Sequence, residues 1–250
     1  MKYYVTADVH GFFTPMRKAL AEAGFFDDPA PRRLVILGDI MDRGIEARAM
    51  QDFLLELLQR EEVILIRGNH EDLFERMVTV DCGFAVQPHL GNRTYDTALQ
   101  LTGIPLDMAL TRPLSFADAA KETPFYQTIL PACRDFFETE RYVFVHGWLP
   151  CFREPDGVFR PRPDWRNASP EAWREARWYN GMDAARMVTE PGKTVLCGHW
   201  HTSYGHARYE GRGPEFGEGA DFSPYTAPGI LAMDACTARS GQVNCIVLED

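Results

Sequence analysis

Short apolar runs alternate with longer stretches of helical periodicity through the first third of the chain. Residues 2–7 (KYYVTA), 34–37 (LVIL) and 63–66 (VILI) have the length and the β-branched and aromatic content of buried strands. Between the second and third runs, Ile45, Ala49, Phe53, Leu54, Leu57 and Leu58 recur at helical spacing, so residues 45–59 predict an amphipathic crossover helix. Thr14-Pro15 predicts an earlier helix, with Thr14 as its N-cap and Gly24 as its stop. Residues 67–71 (RGNHE) lead the third run into another helix. Strands alternating with helices imply βαβ units and a parallel sheet.

The pattern then changes. Helical fragments at 95–101, 115–121 and 124–130 are broken by Gly103, Pro105, Pro113 and Pro131, which predicts a helical insertion over about 82–140, lying beside the sheet as a candidate lid. Strand character returns at 142–145, ending in His146-Gly147, and again at 194–197, ending in Gly198-His199-Trp200-His201. Residues 150–177, rich in Pro, Trp and Arg, read as a solvated irregular loop, and 205–228 as a long loop with little structure. Runs at 229–233 and 243–248 read as two last strands joined in a hairpin around Ser240-Gly241.

Length and charge narrow the possibilities. With 250 residues the chain can bury a substantial core, and it is taken here as one domain, 1–250. A formal charge of -10 argues against a nucleic acid polymer held on a broad basic surface. It does not argue against a phosphorylated substrate, because bound cations reverse the local field. No apolar run approaches a membrane span. The six cysteines are scattered with no CxxC pair, and Cys197 and Cys245 lie in strand-like runs as buried thiols, so a reducing, cytoplasmic location is expected.

Five strand exits carry polar groups able to bind a metal: Asp8 and His10; Asp39 and Asp42; Asn69 and His70; His146; His199 and His201. One such group alone is more often a turn former or a satisfied histidine. Five in one chain imply a shared space at a sheet edge. Carboxylate, amide oxygen and imidazole without thiolate suit Mn²⁺, Zn²⁺ or Fe²⁺. The donors are too many for one ion. Two ions about 3.5–4 Å apart can hold a hydroxide between them and clamp an in-line phosphoryl displacement, so phosphoester hydrolysis is the expected chemistry.

Asp8-Val9-His10, the run from Gly38 to Gly44 (GDIMDRG) and Gly68-Asn69-His70-Glu71 resemble the DxH, GDxxDRG and GNHE signatures of the phosphoprotein-phosphatase family of calcineurin-like metallophosphoesterases. His146-Gly147 and the GHWH run resemble the family's later histidine motifs. The resemblance implies an α/β metallophosphatase-like fold, a mixed β-sandwich flanked by helices, with a helical insertion. It implies two divalent ions, Mn²⁺ foremost, with Asp8 and His10 on the first, Asp39 bridging, and Asn69, His146 and His199 on the second. His70 would be the general acid, oriented by Asp42, and Arg43 would bind phosphate. His201 completes a GHxH as in the broader superfamily and is expected on the first metal, while Arg177 is the candidate second phosphate-binding arginine. Asp234 reads as a turn former and Glu71 as first-turn helix chemistry. The implied activity is that of a bacterial-type Ser/Thr protein phosphatase acting on a phosphoprotein or small phosphoester. The competing readings are a hydrolase of dinucleoside polyphosphates, such as diadenosine tetraphosphate, or other nucleotides, and a non-enzymatic metal-binding module.

Overall fold

The computed structural model describes residues 1–29 and 31–250. Three parallel strands, β1 (Lys2–Thr6), β2 (Arg32–Ile36) and β3 (Val63–Leu65), form one sheet in the order predicted by the βαβ pattern. Helix α1 (Phe13–Glu22) connects the first pair and α2 (Ala47–Gln59) the second. Beyond β3, α3 (Asn69–Thr79) begins directly at the GNHE motif. After two short strands, β4 (Phe137–Glu138) and β5 (Tyr142–Phe144), the chain makes a small hairpin of β6 (Cys151–Arg153) and β7 (Phe159–Pro161). It then completes a second sheet with β8 (Thr194–Cys197), β9 (Tyr225–Ala227) and β10 (Ile230–Ala232). Here β5, β8 and β10 are parallel, while β4 and β9 are antiparallel edges. The last strand, β11 (Ile246–Glu249), returns to the first sheet, antiparallel to β1.

The two sheets face each other, and side-chain alternation sorts the core into three layers. Tyr3, Val5, Val35, Leu37, Ile64 and Ile66 from the first sheet meet Phe144, Leu196 and Met233 from the second. Their neighbours along the strands, such as Leu34, Ile36 and Leu65, face the helices on the outer side of the first sheet. Val143, Val145, Val195 and Ile230 face the outer layer of the second sheet. A period-two alternation with both faces apolar is what a central strand of a covered sheet requires. The fold is therefore a mixed β-sandwich flanked by helices, as expected.

Several local expectations change. Ile45 is 78% exposed and precedes α2, whose buried stripe is Ala47, Met50, Leu54 and Leu57. Thr14 lies inside α1 and caps nothing, its hydroxyl bonding Glu46 instead at 2.5 Å. The insertion is not a detached lid. Its helices α4 (Gln87–Gly91), α5 (Thr94–Thr102), α6 (Leu106–Thr111) and α7 (Pro113–Lys121) bury Tyr95, Ala98, Ala109 and Phe116 in the core they share with α2 and α3. The region 150–177 is more ordered than its Arg and Pro content implied, because Trp165 and Trp173 anchor it in the second sheet's outer core. The two last strands do not pair: β10 lies in one sheet and β11 in the other. Apolar alternation alone cannot say which edge a strand joins, and the turn at Ser240-Gly241 ends a short helix. All six cysteines are free, and Cys245 is only partly buried. No described helix is long and apolar enough to cross a membrane.

One ionic cluster pins the edge strand β4. Arg166 donates to both Glu138 oxygens at 2.9 and 2.8 Å and to Glu190 at 2.8 Å, and Lys193 adds a 2.9 Å contact to Glu138. The Arg166 hydrogen bonds, foremost, hold the Glu138 carboxyl down to about 2. A depressed carboxyl contributes stability above its ordinary value of 4.5, lost as pH falls through 4.5 toward 2. Partial exposure limits the gain, so Arg166→Ala is expected to lower stability by about 1 kcal/mol at pH 7. In urea unfolding at pH 3, inside that window, the difference should be smaller than at pH 7, and it should approach the part due to Arg166 stacking on Trp165 only below the folded value of about 2.

Candidate metal centre

The C-terminal ends of six parallel strands, three from each sheet, reach one edge of the sandwich, and each is followed within a few residues by a polar side chain: Asp8, Asp39, Asn69, His146, His199 and Asp234. At these exits the chain takes up left-handed backbone. Asp8, His10, Asp39, Asp42, Arg43 and His199 have φ between 46° and 76° and make up six of the ten non-glycine residues with positive φ among those described. That conformation costs about 1–2 kcal/mol per residue and persists where neighbours over-determine it. Here the loops cross-link: His10 N–H donates to Asp39 O at 2.9 Å, Gly11 N–H to Ile40 O at 2.7 Å, and Gly44 N–H to His10 O at 2.8 Å.

Glu71 is the clamp beneath them. It is buried, and its carboxylate accepts from Gly68 N–H at 2.7 Å, Asp39 N–H at 3.0 Å and Ile40 N–H at 2.9 Å. Two glycines allow the close approach this requires. A Cβ on Gly68 would collide with Asp39, and one on Gly198 with Asp8.

Above the clamp, two donor groups share a member. His10, Asp39 and His70 each bring a ligand atom within 4.8 Å of one another, and so do Asp39, His146 and His199. His146 donates from Nδ1 to Leu37 O at 2.7 Å, across the sandwich, so its Nε2 carries a lone pair. That nitrogen lies 2.8 Å from Asn69 Oδ1 and 3.3 Å from Asp39 Oδ1. His10 donates from Nδ1 to Met41 O at 3.1 Å, which again leaves the lone pair of Nε2 facing inward, 3.7 Å from Asp39 Oδ2. The lone pairs of His146 Nε2, Asn69 Oδ1 and Asp39 Oδ1 converge with no hydrogen between them and repel unless a cation is held there, whereas His10 Nε2 also faces the Arg43 guanidinium at 2.9 Å. The donors are all nitrogen and oxygen, and they fit divalent ions such as Mn²⁺, Zn²⁺ or Fe²⁺.

Electrostatics agree with this. Burial, then the neighbouring arginine and histidines, lowers His10 and His146, and His199 falls to about 3, so these rings stay neutral and keep ligating lone pairs. Burial would raise Asp39, but the surrounding histidines outweigh it and hold the carboxyl low. His70 differs. Burial opposes its charge, yet Asp39 and the Asp42 hydrogen bond hold it above its ordinary value.

Asp42 itself is bracketed by the insertion. It accepts from Thr94 Oγ1 at 2.6 Å and from Thr97 Oγ1 at 2.7 Å, and it faces His70 Nδ1 at 2.7 Å. The His70 proton therefore sits on Nδ1, and Nε2 points into the site, where Arg43 lies 3.2 Å away and also reaches His10 Nε2 at 2.9 Å.

Most of the expected residues meet here; His201, Arg177 and Asp8 stand outside both donor groups. His201 belongs to neither donor group: its Nε2 pairs with Glu215 at 2.8 Å, and its ring lies against Phe216. It sits at the N-cap of the next short helix, which turns it away from His199. Arg177 is buried, with its two terminal nitrogens taken by Asp72 and Asp135, so it braces α3 against the neighbouring loop. Asp8 reaches the edge with both oxygens on His199 N–H at 3.0 Å. Burial, with Asp234 and Asp39 nearby, holds its carboxyl well above the ordinary range. Asp234 accepts from Cys236 N–H at 2.6 Å, as a turn former does. The sequence reading passed over Glu71 as a clamp, and it passed over Thr94 and Thr97; Trp178, one of the aromatic residues around 165–179 that could stack on a base or lie in the core, packs its indole edge-on to His199 at 5.7 Å. Glu71 stood in the GNHE signature; the threonines carried no signal, being ordinary helix residues.

A sandwich of two mixed sheets with a shared carboxylate at its edge defines a metallophosphatase-type site, and the sequence model described as calcineurin-like phosphoesterase matches residues 1–203. The chain belongs to the calcineurin-like phosphoesterase family. It is 37% identical over 70 residues to a serine/threonine-protein phosphatase 1 of Salmonella typhimurium, a stretch covering 28% of this chain and 30% of that protein. It is 23% identical to a symmetrical bis(5'-nucleosyl)-tetraphosphatase of Pseudomonas fluorescens, over 98% of this chain and 87% of that one. A solved cold-active protein tyrosine phosphatase shares the fold at a TM-score of 0.59 and 16% identity, covering 99% of this chain and 73% of its own.

Replacing Glu71 by Ala leaves three buried N–H groups without an acceptor. We expect Glu71→Ala to cost about 3–5 kcal/mol in urea unfolding, and Glu71→Gln, which keeps acceptor oxygen, clearly less.

Proposed function

We propose that the protein hydrolyses phosphoesters at this centre with two divalent ions, Mn²⁺ foremost. Asp39 carries the reading, because it is common to both donor groups. Asp8 and His10 would complete one position, and Asn69, His146 and His199 the other. When bound, the ion pair would activate water as the nucleophile and offset charge on the phosphoryl oxygens. The chain's own residues do the rest. Arg43, whose guanidinium is held at the site by His10 and His70, binds phosphate oxygens and stabilises the charge that builds on them. His70, protonated on both nitrogens as its raised value favours, would deliver the Nε2 proton to the departing oxygen, while Asp42, fixed by Thr94 and Thr97, holds the ring by Nδ1. A module that only binds metal has no use for that bracket. Six free thiols suit a reducing compartment, and the cytoplasm is the location we propose.

For the substrate, a Ser/Thr phosphoprotein is the first reading, supported by the Salmonella relative. Dinucleoside polyphosphates are the second, supported by the Pseudomonas relative, which is similar over nearly the whole chain. A panel of phosphopeptides, nitrophenyl phosphate and a dinucleoside tetraphosphate separates them.

Asp39→Asn is expected to lose bound metal, read by elemental analysis, together with activity; normal occupancy and turnover would exclude a bridging role. His70→Asn should retain metal while kcat falls about 10²–10⁴-fold. The fall should be steepest for alkyl phosphates, whose leaving groups need the proton most, and equal slowing of nitrophenyl and alkyl phosphates would remove His70 from the general-acid role.

A further inference from the structure

Beside the metal centre lies a cleft of about 910 Å³ that the mechanism leaves unused. Trp178 forms the wall between cleft and centre: it lines the cleft, it is 51% exposed, and its ring meets His199. Trp200, adjacent in sequence to His199, lines the same space with Tyr204 and Tyr209. Both tyrosine hydroxyls donate to Asp183, which fixes the rings.

Three arginines, Arg153, Arg186 and Arg208, complete the lining, and all are exposed. None of them makes an ion pair among the described residues, although the nearby Arg160 and Arg166 are each paired to a glutamate. Arg186 instead lies over the Tyr209 ring at 4.5 Å and Arg153 over Phe159 at 5.7 Å. Three guanidinium groups without an ion pair, set against the one carboxylate of Asp183 in the same lining, give this concavity a net positive charge in a chain with net charge -10.

Asn180 supplies an independent observation. It lines the cleft and is only 8% exposed. Its Oδ1 caps the following helix, accepting from Met182 N–H at 3.0 Å and Asp183 N–H at 3.4 Å, which orients the amide. The Nδ2 donor is left buried with no partner. A buried, unsatisfied amide donor costs free energy that a ligand acceptor would recover.

We infer that this cleft binds the remote part of a nucleoside polyphosphate, its base against the exposed indole, its outer phosphates on Arg153, Arg186 and Arg208, and a ligand acceptor on Asn180. Aromatic faces are worth about 1–3 kcal/mol per stacked base, and the volume is that of a compact small-molecule site. An extended phosphopeptide needs a longer open groove and offers arginines nothing unless its flanks are acidic. The inference rests on the second of the two substrate readings, dinucleoside polyphosphates, and on the phosphoesterase reading for the reaction. Water adds to phosphorus, the bond to the bridging oxygen breaks with its electron pair on the departing nucleotide, one proton of the water stays on the product phosphate, and the other is balanced by the leaving oxygen.

The test compares the metal-loaded protein with Arg186→Ala/Arg208→Ala and with Trp178→Ala, measuring kcat/KM for a dinucleoside tetraphosphate, an uncharged-flank phosphopeptide and nitrophenyl phosphate. The arginine pair is exposed, so its replacement leaves the fold intact. Expected is a fall of at least tenfold for the dinucleotide relative to nitrophenyl phosphate in both variants, carried by KM. ATP should also quench tryptophan fluorescence in the unaltered protein, and the quench should weaken in Arg186→Ala/Arg208→Ala. Nitrophenyl phosphate turnover with no ATP quench and an unchanged substrate ratio would overturn the cleft assignment while leaving the phosphoesterase intact. A loss confined to the phosphopeptide would assign the cleft to protein substrates. An ATP quench without hydrolysis of any phosphoester would leave the cleft standing and remove the reaction.

Discussion

A buried carboxylate surrounded by histidines is the interaction on which the edge of this sandwich depends. Asp39 is nearly inaccessible, yet it is held ionised: the His70 backbone N–H donates to its Oδ1 at 3.0 Å, and the His70 ring, itself held above its ordinary value, lies 3.8 Å from Oδ2. Removing a carboxylate from water costs several kcal/mol unless it is compensated, and the groups that meet it come from both sheets. His146 belongs to the second sheet and anchors its other nitrogen on Leu37 of the first. The site is thus also one of the places where the two halves of the molecule are joined.

The protein spends backbone strain in the same place. Six left-handed residues, Asp39 among them, line this edge, and the Glu71 carboxylate gathers three N–H groups from the exits of β2 and β3. Such conformations aim side chains that regular strand ends would leave pointing into the sheets. Rigid strands below, a hydrogen-bonded carboxyl clamp in the middle and turned loops above form a graded construction. Each layer limits the freedom of the next, which is what a preorganised reaction centre requires. The insertion takes part from the side: by packing α5 against the first sheet's helices it delivers two threonines to Asp42. Through them a segment that holds none of the proposed reacting groups controls the orientation of His70.

Much of this was legible in the chain. The short apolar runs at residues 34–37 and 63–66, the helical stripe between them and the polar residues after each strand predicted parallel strands converging on one edge, because strand ends and signature motifs are local features. Asp39, His10, Asn69, His146 and His199 reach one edge for that reason. His201 and Arg177 were misplaced because proximity in sequence says nothing about where a side chain turns. One follows its helix toward Glu215, and the other is captured by Asp72 and Asp135. Thr94 and Thr97 were silent because a hydroxyl on an ordinary helix acquires its role only from the group opposite it.

Residue order alone therefore determined which groups would be metal-competent, where strands would end and that the chain carries the calcineurin-like phosphoesterase signature. Those are properties of short windows, in which spacing and residue type carry the physics. Only the tertiary structure decided that Asp39 is shared by two donor groups and that β11 crosses to the opposite sheet from β10. It also decided that Glu71 holds the loops and that Trp178, Asn180 and three unpaired arginines line one cleft. Each of these depends on atoms that are distant along the chain and meet only when the sheets close on one another.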